Sequence, residues 1–196
     1  MNPQFWWYVA RASGIVAWLM LTASVLWGIV LSTKAFPRTR RPAWLLDLHR
    51  WLGALTIGFV AAHLGALVAD NYVHFGLADL IVPFASSWRT GAVALGVCAL
   101  WLMIAVEVTS LAMRRLPRHI WRAIHLTSYG VFWLASLHAS FAGTDRTHPL
   151  YRFTTVVTVV AVMLAVIYRL AHRGTGRGRP APVRPSAARS RPAARL

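Results

Sequence analysis

The sequence predicts an all-α membrane protein, a bundle of about five transmembrane helices. Hydrophobic residues make up 57% of the 196 residues, and mean hydropathy is positive, at +0.52. Residues 14–31 and 51–68 form apolar runs without a single Asp, Glu, Lys or Arg. Runs of about 18–20 such residues are long enough to cross the hydrocarbon core of a bilayer. The charged residues are instead collected between the runs, as in a multi-pass membrane protein.

The five spans are expected over residues 10–31, 47–69, 90–112, 120–142 and 151–171. The first is not a cleaved signal peptide, because its apolar run is too long and its amino-terminal flank is not basic. The third and fifth extend from shorter apolar runs, and the fourth is apolar apart from its histidines. Between spans two and three, residues 77–88 are too few to cross and contain Pro83, which predicts an interfacial or re-entrant helix.

The basic residues predict the orientation of the bundle, because short cytoplasmic loops collect Lys and Arg. The loops after spans one and three are basic, whereas the opposite loops are poorer in charge and carry Asp70, Asp79 and Asp145. The basic loops hold Lys34, Arg38, Arg40 and Arg41, and Arg114, Arg115, Arg118 and Arg122. We therefore expect a cell-membrane protein with its amino terminus outside and its carboxyl terminus in the cytoplasm. Spans two and four then both run from inside to outside.

A formal net charge of +16 is typical of a membrane protein or of a nucleic-acid binder, and the apolar runs favour the first. Residues 173–196 are mostly Arg, Pro, Ala and Gly, which predicts a disordered cytoplasmic tail after a membrane domain of residues 1–172. Such a tail would bind anionic lipid headgroups. Binding to nucleic acid is disfavoured, because no aromatic residue is interleaved with the arginines to stack on bases.

Two spans carry histidines at matching depths. His49 and His63 are 14 positions apart in span two, and His125 and His138 are 13 apart in span four. At 1.5 Å per residue, these separations are about 21 Å and about 20 Å. If the two parallel spans are neighbours, His49 and His125 form an inner pair, and His63 and His138 form an outer pair. One such histidine could simply hydrogen-bond to a neighbouring helix, but four at two levels favour a functional role as ligands.

Two facing imidazoles among apolar and small residues suit a flat porphyrin, whereas zinc would require Cys or acidic ligands that are absent from these stretches. The pattern therefore predicts a haem with two axial histidines at each level between spans two and four, suited to electron transfer because no coordination position stays open. Gly53 and Gly130, near the inner ligands, could admit the macrocycle or allow close helix packing. Thirteen positions miss the same helix face by about 140°, so span four requires a local distortion or haem planes that approach from different sides.

The paired histidines resemble those of the ferric reductase-like transmembrane domain, the cytochrome b module of ferric reductases and NADPH oxidases. The resemblance covers residues 10–171. The stretches "RWLGALTIGFVAAH" and "WRAIHLTSY" also resemble the haem-binding membrane subunit of the bacterial methionine sulfoxide reductase system. The resemblance implies two stacked b haems with all four histidines as iron ligands.

The chain departs from the eukaryotic members of that family, which have six spans and continue into a flavin and nicotinamide domain. No G-x-G-x-x-G loop follows a strand in this sequence. The resemblance therefore implies an oxidoreductase component that takes electrons from a separate flavoprotein or quinol, with any flavin on that partner. Whether the chain is itself an enzyme stays open.

Several further residues have two interpretations. Arg50 and Arg122 beside the inner pair could bind haem propionates or simply supply cytoplasmic charge, and Arg11 could serve the outer haem in the same way. Glu107 is the only acidic residue inside a span and could pair with a loop arginine or relay protons. The aromatic residues Tyr129, Phe132 and Trp133 lie between the ligands of span four, either between the haems or in ordinary packing. We expect His74, His119 and His148 to be surface residues.

Three functions follow from these residues. The first is a transmembrane electron carrier, which passes electrons from the inner haem to the outer haem and on to an acceptor outside. The second is a non-catalytic haem-binding anchor for a separate flavoprotein reductase. The third is a transporter that uses the histidines as proton relays.

Overall fold

The computed structural model describes residues 4–33, 42–70 and 73–174, except for the side chains of residues 172–174. This part of the chain is helical and has no strand, which confirms the predicted all-α class. The helices are α1 (Phe5–Ser32), α2 (Ala43–Ala69), α3 (Leu77–Ile81), α4 (Thr90–Leu111), α5 (Arg118–Leu126), α6 (Ser128–Ala142) and α7 (Pro149–Gly174), with a 3-10 turn at Asp145–Thr147. The predicted basic loop at 34–41 and the predicted tail from residue 175 onward lie outside the described residues.

Four helices among the described residues are long and apolar enough to cross a membrane: α1, α2, α4 and α7. They correspond to predicted spans one, two, three and five. Large apolar side chains are exposed along them, including Trp51 on α2 and Leu164 on α7. Such surfaces are unfavourable in water but are expected where helices face lipid tails.

The fourth predicted span is two helices rather than one. The helix is interrupted at Thr127, where the backbone N–H donates to the carbonyl of Ile124 at 2.9 Å, a tightened turn instead of a normal α-helical turn. The Thr127 hydroxyl donates to the same carbonyl at 2.7 Å. With 15 residues, α6 alone would be about 22 Å long, shorter than a hydrocarbon core of about 30 Å. Only α5 and α6 together have the length to cross.

The short helix α3 begins after Gly76, whose backbone N–H donates to the Asp79 carboxylate at 2.8 Å. It ends two residues before Pro83, in the segment for which an interfacial or re-entrant helix is expected. The indole N–H of Trp101 on α4 donates to the Ile81 carbonyl at 2.8 Å and attaches α3 to the bundle. This segment therefore packs against α4.

Two helix pairs organise the bundle, because α1 packs along α2 and α4 packs along α6. Helix α1 also contacts α6 and α7, and so connects the pairs. The shared core contains Val25, Ile29, Phe132 and Val162. Within it the Trp18 indole N–H donates to the Ser136 hydroxyl at 2.9 Å, a buried link between α1 and α6. The histidine-bearing helices α2 and α5–α6 are thus each held by another helix and make no comparably extensive backbone contact with each other in the described residues.

Candidate functional site

The inner pair is brought together as the sequence predicts. The imidazole ring centres of His49 and His125 lie 6.0 Å apart, with their planes at 77°. A metal bound between two imidazole nitrogens at about 2 Å from each would place the ring centres about 6 Å apart. The spacing between α2 and α5 at this level therefore suits one metal ion held from opposite sides.

The outer pair lines a single cavity of 240 Å³. His63 enters it from α2 and His138 from α6, and Trp18 of α1 also lines it and donates to Ser136 of α6. The lining is predominantly apolar. An apolar enclosure with two imidazoles has the character of a cofactor pocket, in which few polar groups fix the orientation of a largely apolar ligand.

Both outer imidazoles are fixed by a backbone carbonyl. Nδ1 of His63 lies 2.7 Å from the carbonyl oxygen of Ala10, and Nδ1 of His138 lies 2.7 Å from that of Ala92. A carbonyl oxygen only accepts hydrogen bonds, so each Nδ1 is the donor. Nε2 then keeps its lone pair in the neutral ring and is left for a metal. Such an orienting contact is usual behind a histidine ligand.

Each outer imidazole ring packs directly against a glycine of a neighbouring helix. A Cβ at Gly14 would lie 3.0 Å from Nδ1 of His63, and a Cβ at Gly96 would lie 2.7 Å from Nδ1 of His138. Each glycine comes four residues after the carbonyl that its histidine uses, Ala10 in α1 and Ala92 in α4. Because the side chain is missing, the ring can lie against the helix backbone and reach the carbonyl one turn away.

The inner imidazoles are positioned by hydroxyl groups instead. Nδ1 of His49 lies 3.4 Å from the Ser24 hydroxyl, and Nδ1 of His125 lies 3.4 Å from the Ser110 hydroxyl. His49 also packs over Gly28, where a Cβ would come within 3.2 Å of the ring. Trp121 stacks on His125, with ring centres 5.1 Å apart and planes at 21°.

Sequence reasoning missed these glycines, although α1 repeats their pattern. Ala10 and Gly14 serve His63, and Ser24 and Gly28 serve His49. The repeat interval in α1 is 14 residues, the interval between the two histidines of α2. The sequence did contain a signal for these glycines, because the interval between the two glycines of α1 equals the interval between the two histidines of α2.

The helix break at Thr127 answers the question raised by the 13-residue interval. It lies between His125 and His138, which are therefore on different helices, α5 and α6. The angular mismatch of a single ideal helix does not apply, because a local distortion, one of the two alternatives that the sequence left open, lies between the two histidines.

The two glycines singled out from the sequence face α4. A Cβ at Gly53 would lie 3.0 Å from Oε1 of Glu107, and a Cβ at Gly130 would lie 3.8 Å from Leu102. Gly53 therefore leaves room for a carboxyl group, and Gly130 allows ordinary contact between α6 and α4.

The arginines predicted to bind propionates lie in different surroundings. Arg50 is 63% exposed and pairs with Asp47 at 3.1 Å, and Arg122 is exposed. Arg11 lines the outer cavity but forms a bidentate ion pair with Asp145 in the 3-10 turn. Their role toward a haem stays a prediction.

Arg169 of α7, which sequence reasoning did not single out, contacts Tyr129, a residue near the inner pair. It donates to the hydroxyl of Tyr129, with its guanidinium 5.7 Å from the centre of the Tyr129 ring. Tyr129 comes four residues after His125.

The remaining predicted residues are also placed. Phe132 is fully buried in the core beside Tyr129, which is ordinary packing, and Trp133 is 40% exposed. His74, His119 and His148 are exposed, as expected.

The four intramembrane histidines fit haem better than a metal ion held by protein ligands alone. No cluster of three or more His, Cys, Asp or Glu side chains that could hold a metal ion occurs in the described ranges. Two imidazoles complete the coordination of an iron whose porphyrin supplies the other ligands. The glycines against which the outer rings pack, the Nδ1 anchors and the separation of α2 from α5–α6 are all compatible with such a group.

Fold and site together define a multi-pass helical membrane protein with two levels of paired imidazoles. The family model of the ferric reductase like transmembrane component matches residues 13–136, which is more than half of the chain. The chain belongs to this family, as the resemblance of its histidine pairs predicted. The matched range contains His49, His63 and His125 and ends two residues before His138. Searches of the curated proteins and of the solved structures gave no significant match.

Proposed function

We propose that this protein transfers electrons across the membrane through two b haems. His49 and His125 would hold the inner haem, and His63 and His138 the outer one. The observation that carries this proposal is that Nδ1 of each of the four imidazoles contacts a carbonyl or hydroxyl oxygen, so that Nε2 is the nitrogen that would bind iron. Bound there, haem supplies reversible one-electron exchange without an open coordination position. Membership of the ferric reductase-like family supports the same function.

The direction proposed is from a cytoplasmic donor, a flavoprotein or a quinol, to an acceptor on the outer side. The loop charges support the placement of the inner level on the cytoplasmic side, where this donor would reach it. The two levels are about 20 Å apart along the helices, and porphyrin edges would be closer. In this arrangement α5 and α6 together form the fifth span of the bundle.

The first test is the haem content and the reduced-minus-oxidised spectrum of the purified full-length protein. We expect a b-type spectrum and two haems per chain. His63→Ala should lose the outer haem and keep the inner one, whereas His49→Ala should lose the inner haem. The matched control is His74→Ala, an exposed loop histidine, which should keep both. A protein without a b-type spectrum would contradict the proposal, as would His63→Ala and His138→Ala variants that keep both haems.

The second test uses vesicles with a reductant enclosed and an impermeant acceptor outside. We expect the acceptor to be reduced at a rate that falls in the His63→Ala variant. Two bound haems without transfer across the vesicle would instead favour the non-catalytic anchor for a flavoprotein. A haem-free protein with proton-coupled solute uptake would favour the transporter.

A further inference from the structure

Glu107 has no role in the electron path just described. It is partly buried in α4, one turn before this helix ends at Leu111. Its side chain reaches toward α2, where Gly53 leaves the space for the carboxyl group. Among the described residues, no ion pair is formed by this carboxyl group. A carboxyl group in that position is unusual, because an acid within a membrane span is costly unless it is paired or has a function.

Two helices place Glu107 at similar distances from the inner pair. On α2, Gly53 follows His49 by four residues, about 6 Å along the axis. On α4, Glu107 precedes Ser110 by three residues, about 4.5 Å, and the Ser110 hydroxyl is the one next to His125. The helices α2 and α4 run in opposite directions. Gly53 on α2 and Glu107 on α4 are therefore both displaced from the inner pair toward the outer pair. The carboxyl group therefore lies about one helical turn from the inner pair, between the two levels.

The ionisable groups of the helices beside α4 come from α2, α3, α5 and α6. They are Asp47, His49, Arg50 and His63 on α2, Asp79 on α3, Arg118, His119, Arg122 and His125 on α5, and Tyr129 and His138 on α6. Asp47 and Arg50 pair with each other, and Arg118, His119 and Arg122 are exposed. Asp79 and His138 belong to the opposite end of α4, and the Tyr129 hydroxyl accepts a hydrogen bond from Arg169. The nearest centre whose charge changes during electron transfer is therefore the inner pair with its haem.

We propose that Glu107 is a proton-binding site coupled to the inner haem, an inference that rests on the proposed function. Arrival of one electron from the donor lowers the charge at the inner level by one unit. A carboxylate one turn away is then less stable, because charges interact strongly where the dielectric constant is low. Glu107 takes up one proton from the cytoplasmic side and becomes a neutral carboxyl group. When the electron moves on to the outer haem, the carboxyl group releases the proton to the same side.

The experiment is a redox titration of both haems in the purified full-length protein across the near-neutral pH range. Because reduction is accompanied by proton binding, the inner midpoint should fall as pH rises, by up to about 59 mV per pH unit at full coupling. The outer midpoint should change less. Glu107→Gln should make the inner midpoint independent of pH and hold it at the value that the unaltered protein reaches at low pH. Glu107→Asp should keep a slope.

The matched control is Asp47→Asn, which removes an exposed carboxylate already paired with Arg50 and should keep the unaltered slope. An equal slope in the unaltered protein and Glu107→Gln would overturn the inference, as would a flat inner midpoint in the unaltered protein. If Glu107→Gln does not bind the inner haem, proton uptake during reduction of the unaltered protein is measured instead to test the coupling. We expect about one proton to be taken up for each electron that reduces the inner haem. Absence of haem would refute the proposed function itself, whereas two haems with pH-independent midpoints refute only the coupling.

Discussion

The outer and inner levels hold their imidazoles by different means. At the outer level both rings are bound to backbone carbonyls at 2.7 Å and lie on glycines within an apolar cavity. At the inner level the Nδ1 contacts are to serine hydroxyls at 3.4 Å, and Arg50 and Arg122 nearby are exposed. Backbone carbonyls of a helix cannot rotate, whereas hydroxyl groups can. The comparison teaches that the outer imidazoles are fixed by the fold, whereas the inner imidazoles have room to adjust their orientation.

The largest effect that distinguishes the levels is expected from Gly96→Ala. The new Cβ would come within 2.7 Å of the His138 ring, closer than carbon contacts allow, so the imidazole must move away from the Ala92 carbonyl. Overpacking of about 1–3 kcal/mol corresponds to outer haem binding that is weaker by about five- to 150-fold. Haem content and the spectrum of each haem would measure this, with Gly91→Ala on the same helix as the control because nothing lies within 4 Å of its Cβ. An unchanged outer haem in Gly96→Ala would show that the two levels are equally adjustable.

A smaller loss of haem affinity is expected when the hydroxyl groups at the inner level are removed. Ser24→Ala and Ser110→Ala each remove a long hydrogen bond to Nδ1 of an inner histidine, so inner haem binding should weaken by only about two- to threefold. Haem titration of the apoprotein would measure the affinity, and the outer haem in the same sample is the internal control. Complete loss of the inner haem in either variant would contradict the comparison, because it would make the serines as important as the outer carbonyls.

The smallest effect is expected where α2 faces away from both levels. Gly58 lies between His49 and His63 in sequence, but nothing lies within 4 Å of its Cβ position. Gly58→Ala should keep both haems and stabilise α2 by about 0.5–1 kcal/mol, because alanine is the better helix former. Thermal unfolding in detergent, followed by circular dichroism, would measure the change. Loss of a haem would place a cofactor or a partner against this face.

The sequence predicted the features that depend on local pattern. Long apolar runs identified α1, α2, α4 and α7, and the similar intervals of 14 and 13 residues between histidines predicted that His49 and His125 meet if the two spans are neighbours. The interruption at Thr127 could be expected only as an unspecified distortion. Threonine is tolerated inside membrane helices, because its hydroxyl can bond to a carbonyl of the preceding turn, so the residue itself does not indicate a break.

The features that escaped prediction depend on residues far apart in the chain. Gly14 contacts His63 and Gly96 contacts His138, and neither glycine differs locally from those used for helix packing. The ion pair between Arg11 and Asp145 joins α1 to a turn 134 residues later. Contacts of this kind follow from how helices pack, which single-helix periodicity does not determine.

The equal 14-residue intervals in α1 and α2 also restrict how this half of the molecule can change in length. Fourteen residues are about four helical turns, so both sites on this half are kept only if both helices gain or lose the same whole number of turns. A single inserted residue in either helix would rotate one site away from its partner by about 100°. The other histidine-bearing segment, α5–α6, is interrupted at Thr127. An insertion at this break can be accommodated without rotating both His125 and His138. Adaptation to a thicker or thinner bilayer is therefore easier for α5–α6 than for α1–α2, and the spacing of the two histidine levels is set by the α1–α2 half.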